Sequence, residues 1–160
     1  NPIIPSKIQL KSSNMEILLI NGPNLNLLGK READIYGDVD LETIEVNLMR
    51  LASLHGCELV PIQTNAEHEI IDEIHLALDT DIEVILINPG AFTHTSIAIR
   101  DALLGVNIPF YEIHISDVFA REEFRHKSFF SDIAINVFSG LGVEGYEKAL
   151  LEAISKFKRS

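Results

Sequence analysis

Cysteine is almost absent from this sequence, and long apolar runs are absent altogether. The chain has one cysteine, Cys57, so no disulfide can form within it. No stretch approaches the ~18 consecutive apolar residues that a membrane-spanning helix needs. Because disulfides belong to oxidising compartments, these two shortages predict a protein of a reducing compartment. We expect it in the cytoplasm and not in a membrane.

Basic residues are scarce as well. Lysine and arginine together number 13 against 24 aspartate and glutamate residues, which gives a net charge of -11 at pH 7. A protein that binds nucleic acid or an acidic membrane normally presents an excess of positive charge. We therefore expect neither partner.

Apolar residues are plentiful enough for one hydrophobic core. The chain has 160 residues, of which 46% are hydrophobic, and this is close to the usual size of a single domain. Residues 1–14 contain two prolines and no apolar period, so they do not resemble a secretory signal. We expect residues 1–14 to be a leader or an appended segment, and residues 15–160 to form a single domain that starts at Met15.

Short apolar runs alternate with amphipathic stretches from Met15 onward. The runs that predict strands are "EILLI", "ELVPIQ", "VILIN", "FYEIHI" and "IAINVF". Continuous apolar strands that alternate with helices are typical of a parallel sheet covered on both faces. The pattern predicts an α/β fold, a flavodoxin-like three-layer sandwich with a five-stranded parallel sheet of order 2-1-3-4-5. Pro61 cannot donate to a neighbouring strand, which places the second strand at an edge.

Capping residues and helical spacing predict the helices. Asp40 is expected to cap the first helix, which Gly56 ends, and Asn65 is expected to cap the second. A third helix is expected around Ser96 to Leu104, and a last one through Phe157. The apolar face predicted for the second helix consists of Ile70, Ile71, Ile74, Ala77 and Leu78.

Polar side chains follow the first, third and fourth predicted strands. In a sheet of this order, ligands bind beyond the carboxyl ends of the strands, where strands 1 and 3 diverge. We expect three loops to meet there. Their polar residues are Asn21, Asn24, Arg31 and Tyr36 after strand 1, Asn88, His94 and Ser96 after strand 3, and Glu112, His114, Ser116, Arg121 and Arg125 at or after strand 4.

The loop "NGPNLNLLGKREADIYG" runs from Asn21 to Gly37 without an apolar period. A loop longer than ~12 residues in a compact domain is usually functional or disordered. Its charged residues, Arg31 among them, could be no more than a solvated surface. Its glycines and proline shape the backbone, however, which favours a lid that carries Arg31 and Tyr36 to a ligand.

Two pairs of residues are open to more than one interpretation. Glu112 and His114 lie on one face of a strand, and they could form a metal site with His94 as a third ligand. Alternatively the carboxylate orients the imidazole and favours its protonated form, as suits a general acid, or the two residues are an ordinary structural pair on a strand. Arg121 and Arg125, four residues apart, could be a solvated helical face or a clamp for an anion or a polyol.

The segment "GLGVEG" (Gly140 to Gly145) formally matches the G-x-G-x-x-G pattern of dinucleotide-binding proteins. That fingerprint also needs a further strand with an acidic residue about 20 positions on, which holds the ribose. The fifteen residues that remain are all consistent with one helix. We interpret the segment as a tight turn between a strand and a helix.

Taken together, these motifs resemble those of the type II 3-dehydroquinate dehydratases. The matching stretches run in the family's order from Asn21 to Tyr146, and they are "NGPNLNLLGKRE" with "YG", "INPGAFTHTS" with "AIRDAL", "EIHISD", "AREEFR" and "GLGVEGY". The resemblance implies a single catalytic domain that works without a cofactor or metal. It implies a hydro-lyase of the shikimate pathway, which leads to aromatic amino acids. This enzyme eliminates water from 3-dehydroquinate to give 3-dehydroshikimate through an enolate.

The resemblance also implies roles for individual residues. Tyr36 would be the base that removes the C2 proton, held near its phenolate form by Arg31 and Arg121. His114 would be the acid that protonates the departing hydroxyl, with Glu112 behind it. The remaining implied positions are Asn24 for the water that stabilises the enolate, Asn88, His94 and Arg125 for hydroxyl groups, the backbone of Ile115 and Ser116 for the carboxylate, and Gly90, Ala91 and Asp101 elsewhere at the substrate.

The family's assembly is a homododecamer, a tetramer of trimers, in which Asp101 would reach into a neighbouring subunit's site. One departure concerns the lid, where the family usually reads "REP" and this chain has Glu32, Ala33 and Asp34. Loss of a proline frees the backbone, so we expect a more mobile lid when the site is empty. A binding module on the same fold, without catalysis, is the alternative function.

Overall fold

The computed structural model describes residues 14–30 and 38–159. Within them, five parallel strands form one sheet in the order β2-β1-β3-β4-β5, so the predicted flavodoxin-like order is confirmed. The strands are β1 (Met15–Asn21), β2 (Cys57–Gln63), β3 (Ile82–Asn88), β4 (Phe110–His114) and β5 (Asn136–Ser139). β2, which contains Pro61, lies at the edge, as predicted.

Helices cover both faces of the sheet. In the described part of the chain they are α1 (Leu41–Leu54), α2 (Glu67–Leu76), α3 (Ile97–Val106) and α4 (Glu144–Phe157). Successive side chains of a strand point to opposite faces. Ile17 and Leu19 of β1 therefore join the core under α1 and α4, while Leu18 and Ile20 join the core under α2 and α3.

Of the four helices in the described residues, α1 and α3 start at a side-chain cap, whereas α2 and α4 do not. Asp40 Oδ1 accepts the backbone N–H of Thr43 at 2.9 Å, so the predicted cap of α1 is confirmed. The prediction that Asn65 caps α2 is wrong, because α2 begins after Ala66 without a side-chain cap. The Asn65 side chain instead accepts the backbone N–H of Asn24, and so holds the loop after β1.

Two apolar assignments are also corrected. Leu78, which we placed on the buried face of the second helix, is 59% exposed. The cause is a 3-10 turn at Ala77–Asp79, which changes the helical period and turns Leu78 outward. The run "IAINVF" is only partly a strand, because the N–H groups of Ile133 and Ala134 both bond to the carbonyl of Phe130 and form a turn before β5.

Some predictions fall on residues that the structure does not describe. The proposed leader lies almost entirely in residues 1–13, and the lid substitutions lie in residues 31–37, both outside the described ranges. The division into a leader and one domain therefore stays a prediction. Among the described residues, no helix has the length and apolar character needed to cross a membrane.

Candidate active site

A cleft of about 170 Å³ opens beyond the carboxyl ends of β1, β3 and β4. This is the switch point at which the sequence predicted a site. Of the predicted residues, those that line the cleft are Asn24, Asn88, Gly90, Ala91, His94, His114, Ile115, Ser116, Arg121 and Arg125. Glu112 lies behind His114. Arg31 and Tyr36 lie outside the described residues, and Asp101 is an exposed residue of α3 that does not line the cleft of its own chain.

The loops after β1 and β3 meet closely at one end of the cleft. The N–H of Gly22 donates to the carbonyl of Asn88 at 2.8 Å. A Cβ at Gly22 would lie 2.4 Å from the carbonyl oxygen of Pro89, so no larger residue fits without displacing backbone. The glycine of the "GPN" motif thus allows the approach that brings Asn24 to the rim of β3.

A buried polar network joins the ends of β1 and β3 to α4. The Tyr146 hydroxyl donates to Asn21 Oδ1 at 2.6 Å and accepts from Asn88 Nδ2 at 2.9 Å. Asn88 Oδ1 in turn accepts the N–H of Gly90 at 3.2 Å. Asn88 therefore supports the cleft wall as well as lining it. Sequence reasoning assigned no role to Tyr146, whose only signal was its place at the end of "GLGVEGY".

Glu112 and His114 form a buried hydrogen-bonded pair between Oε2 and Nε2. Two serine hydroxyls also reach the carboxylate, Ser128 at Oε2 (2.8 Å) and Ser131 at Oε1 (2.7 Å). Burial alone would raise the pKa of Glu112, but its contacts with His114 and the two serines outweigh burial and lower it.

This arrangement supports the interpretation of Glu112 and His114 as an orienting pair. Both carboxylate oxygens are occupied by side-chain donors. In the part of the chain that the structure describes, no cluster of three or more His, Cys, Asp or Glu residues could hold a metal ion. Sequence reasoning missed Ser128 and Ser131, because nothing in their local sequence links them to Glu112.

His94 is fixed by the chain that follows the two arginines. Its Nδ1 lies 2.8 Å from the carbonyl oxygen of Lys127. Because a carbonyl can only accept, Nδ1 carries the proton. Burial is the main cause of a pKa for His94 below its ordinary value, so the ring is neutral at pH 7. A neutral ring protonated on Nδ1 has Nε2 as a hydrogen-bond acceptor.

Arg121 and Arg125 both reach the cleft, but not from one helix. Two 3-10 turns, Val118–Ala120 and Glu123–Arg125, replace the helical face that the spacing predicted. Glu122 lies between the arginines, with its Oε1 3.0 Å from Nε of Arg125 and 3.8 Å from Nε of Arg121. The shared helical face expected for the two arginines is therefore wrong, although both side chains line the cleft, and their role as a clamp stays a prediction.

The "GLGVEG" segment forms the turn between β5 and α4, as predicted. Its N–H groups hold the loop after β4, with Gly142 donating to Ile115 at 3.0 Å and Gly140 donating to Ser116 at 3.2 Å. In a trans peptide the N–H points opposite to the carbonyl of the same unit. Since the carbonyl of Ile115 faces this turn, the N–H of Ser116 faces the other way.

These features define a flavodoxin-like α/β enzyme in which a His–Glu pair and two arginines surround a cleft at the switch point. A family model described as Dehydroquinase class II matches residues 15–154. The chain belongs to this family of class II dehydroquinases.

Relatives of the chain carry matching names. The 3-dehydroquinate dehydratase of Tolumonas auensis is 57% identical over 149 residues, which are 93% of this chain and 97% of the relative. That of Proteus mirabilis is 56% identical over 145 residues, or 91% and 98% of the two chains.

Solved structures of type II dehydroquinases show the same fold. The enzyme from Butyrivibrio crossotus superimposes with a TM-score of 0.86 at 44% identity, covering 88% of this chain and 98% of that one. The enzyme from Propionibacterium acnes gives a TM-score of 0.84 at 40% identity, covering 90% and 100%.

Proposed function

We infer that this chain is a type II 3-dehydroquinate dehydratase. It is a hydro-lyase of the shikimate pathway that eliminates water from 3-dehydroquinate to give 3-dehydroshikimate through an enolate. The observation that carries the mechanism is the buried Glu112–His114 pair, which lines the cleft with an imidazole whose Nε2 is held by a carboxylate. Elimination of water beside a ketone needs an acid, a base and a group that stabilises the enolate.

His114 is the acid. Its Nε2 is engaged by Glu112, which leaves Nδ1 as the ring nitrogen for the departing hydroxyl at C1. In its protonated form the ring has a proton on Nδ1 to give to that hydroxyl. This geometry supports the orienting role of Glu112, because the carboxylate fixes both the tautomer and the direction of the ring.

Tyr36 is the base that removes the C2 proton, and this assignment rests on the family resemblance. Tyrosine has a reference pKa of about 10, and each unit of depression needs ~1.4 kcal/mol of preferential interaction with the phenolate. Arg31 and Arg121 are the assigned sources. The position of the Arg121 side chain in the cleft supports the second of them.

The remaining contacts bind the substrate. The carboxylate of 3-dehydroquinate is received by the backbone at Ile115 and Ser116, where the N–H of Ser116 points away from the glycine turn. The positions that bind hydroxyl groups are Asn88, His94 and Arg125. Gly90 and Ala91 form the wall beside them. Asn24 holds the water that stabilises the enolate.

Assembly completes the site in this proposal. Asp101 reaches into the cleft of a neighbouring subunit within a homododecamer, a tetramer of trimers. Its own helix face supports an interface there, since Ile97 and Leu104, one turn on either side of Asp101, are 56% and 50% exposed. A cytoplasmic location is also part of the proposal, and the free buried thiol of Cys57 is compatible with a reducing compartment.

The test compares the wild-type chain with Tyr36→Phe. Dehydration of 3-dehydroquinate is followed by absorbance of the conjugated product, and binding of product by calorimetry. We expect Tyr36→Phe to abolish turnover while product affinity changes by less than about tenfold, or ~1.4 kcal/mol, because the ring is retained. A wild-type chain that binds but does not dehydrate would contradict the function. A Tyr36→Phe variant with more than a few per cent of wild-type kcat would contradict the assignment of the base.

A further inference from the structure

The segment that follows Arg125 and His126 forms hydrogen bonds both to the loop after β3 and to a residue of β4. On the β3 side, the carbonyl of Lys127 meets His94, and the N–H of Phe129 donates to the carbonyl of Thr93. On the β4 side, the hydroxyls of Ser128 and Ser131 reach Glu112. We call residues 127–131 the serine clamp. It spans the two strands whose ends carry the acid and the hydroxyl-binding histidine.

The direction of the Ser128 hydrogen bond follows from its other contacts. Its Oγ accepts the backbone N–H groups of Phe130 at 3.0 Å and of Ser131 at 3.2 Å. A hydroxyl has two acceptor lone pairs and one donor hydrogen. With both lone pairs in use, the hydrogen of Ser128 must go to Oε2 of Glu112.

The hydrogen bonds of the Glu112 carboxylate can be counted in the same way. Oε2 of Glu112 receives Nε2 of His114 and the hydroxyl of Ser128, while Oε1 receives the hydroxyl of Ser131. Three donors on a buried carboxyl group stabilise its ionised form. Because an ionised carboxylate can only accept, Nε2 of His114 carries a proton, and Nδ1 is the nitrogen that exchanges protons with the substrate.

We propose that Ser128 and Ser131 are positioning residues for the acid step: their hydroxyls hold Glu112 as a carboxylate and thereby fix the tautomer and direction of His114. The inference rests on the proposed function and adds to it two residues that do not touch the substrate. Substitution of Ser131 tests the proposal more directly than substitution of Ser128, because within the described residues the Ser131 side chain makes no hydrogen bond other than the one to Glu112. Ser128 also stabilises the turn.

The experiment separates the two halves of the reaction. Enolate formation exchanges the C2 proton of 3-dehydroquinate with solvent deuterium, whereas dehydration also needs the acid. We would measure kcat and KM for dehydration, and the ratio of C2 exchange to dehydration by NMR in D2O. The variants are Ser131→Ala, Ser131→Thr, and Ser128→Ala with Ser131→Ala. The matched control is Ser155→Ala, at an exposed serine of α4 that does not line the cleft.

Ser131→Ala is expected to lower kcat by about tenfold, the size of effect typical of a hydrogen bond to a charged group. The ratio of exchange to dehydration should rise by a similar factor, and KM should stay within about threefold. Ser131→Thr should restore turnover, because Thr keeps the hydroxyl and Ser131 is exposed enough to accommodate one more methyl group. The double variant should lose more.

Equal losses of exchange and dehydration in Ser131→Ala would contradict the positioning role, and so would a wild-type kcat in that variant. If the double variant fails to fold, Ser131→Ala alone decides the question. Failure of the proposed function is distinguishable from failure of this inference, because it would show as a wild-type chain that neither exchanges C2 nor dehydrates the substrate.

Discussion

Protonation of His94 should make substrate binding depend on pH, because it removes the hydrogen-bond acceptor on the ring. In the proposed function, a neutral His94 offers Nε2 as an acceptor to a substrate hydroxyl, and the pKa of His94 is lowered mainly by burial. Because the folded pKa lies below the ordinary value of about 6.5, the neutral form persists at and above pH 6.5. Below the lowered pKa the ring gains a charge, and KM should rise by up to tenfold per pH unit.

The measurement is KM for 3-dehydroquinate between pH 4.5 and 8, with His94→Gln as the control. Glutamine does not titrate, so this variant should have a higher KM but a weaker rise in acid. A KM that already rises above pH 6.5 would show that His94 is not held neutral. An acid rise that is identical in His94→Gln would place its cause elsewhere.

Two buried tyrosines make a matched pair for stability. The Tyr146 hydroxyl bonds to Asn21 and Asn88, whereas the buried Tyr111 hydroxyl lies near the Glu152 carboxylate but has no well-formed hydrogen bond among the described residues. Burial is the main cause that raises the pKa of both phenols, that of Tyr111 to about 12, so both are neutral at pH 7.

Tyr146→Phe should lower the free energy of unfolding by about 1–3 kcal/mol, because Asn21 Oδ1 and Asn88 Nδ2 both lose the hydroxyl to which they are bonded. Tyr111→Phe should change it by less than about 0.5 kcal/mol or stabilise the fold. Denaturant unfolding at one fixed protein concentration would compare them, since the proposed assembly would make stability depend on concentration. Equal losses would show that ring packing, not the hydroxyl network, is responsible.

Among the elements, the glycine turn between β5 and α4 holds the loop after β4, which is the proposed site for the substrate carboxylate. Gly140 has a φ of +77°, and a Cβ there would lie 3.0 Å from Cβ of Asp117. Gly142 has a similar φ of +63° but no atom within 4 Å of the built Cβ. Both positions disfavour a side chain, and only Gly140 would also push on the loop after β4.

Gly140→Ala should therefore raise KM several-fold as well as lower stability. Gly142→Ala should cost stability alone, by roughly 1 kcal/mol for a residue forced into the left-handed region. Steady-state kinetics and thermal unfolding of the two variants would check this. A Gly142→Ala variant with the larger KM would show that backbone strain, and not contact with Asp117, disturbs the loop.

Sequence patterns predicted those elements whose causes are local or periodic. The apolar runs gave the strands and the sheet order, and Asp40 capped α1 because a cap needs only a neighbour three residues on. Asn65 has the same chemistry, yet it bonds to Asn24, 41 residues away. Capping propensity depends only on neighbouring residues, so it cannot predict a partner that is distant in the sequence. The serines were missed for the same reason, since Ser131 lies 19 residues from Glu112.

At the scale of the whole molecule, the prediction concerns the face of α3 around Asp101. Asp101→Ala should keep the assembly but raise KM, because in the proposed function the lost carboxylate belongs to a neighbouring subunit's cleft. Ile97→Asp should lower the assembled mass and the activity together, because a charge at an apolar interface is costly. Light scattering and kinetics on the same samples would check both variants, and a fully active monomer would contradict the shared site.

The bond between Tyr146 and Asn21 joins residues 125 positions apart in the chain. A ribosome adds roughly 5–20 residues per second, so β1 waits about 6–25 s after its own synthesis before this partner exists. During that interval the nascent chain can pair its first strands, but the polar ends of β1 and β3 have only water to bond. The hydrogen-bond network beside the candidate cleft is therefore completed late in translation, because a chain that stalls before residue 146 has no hydroxyl to join the ends of β1 and β3.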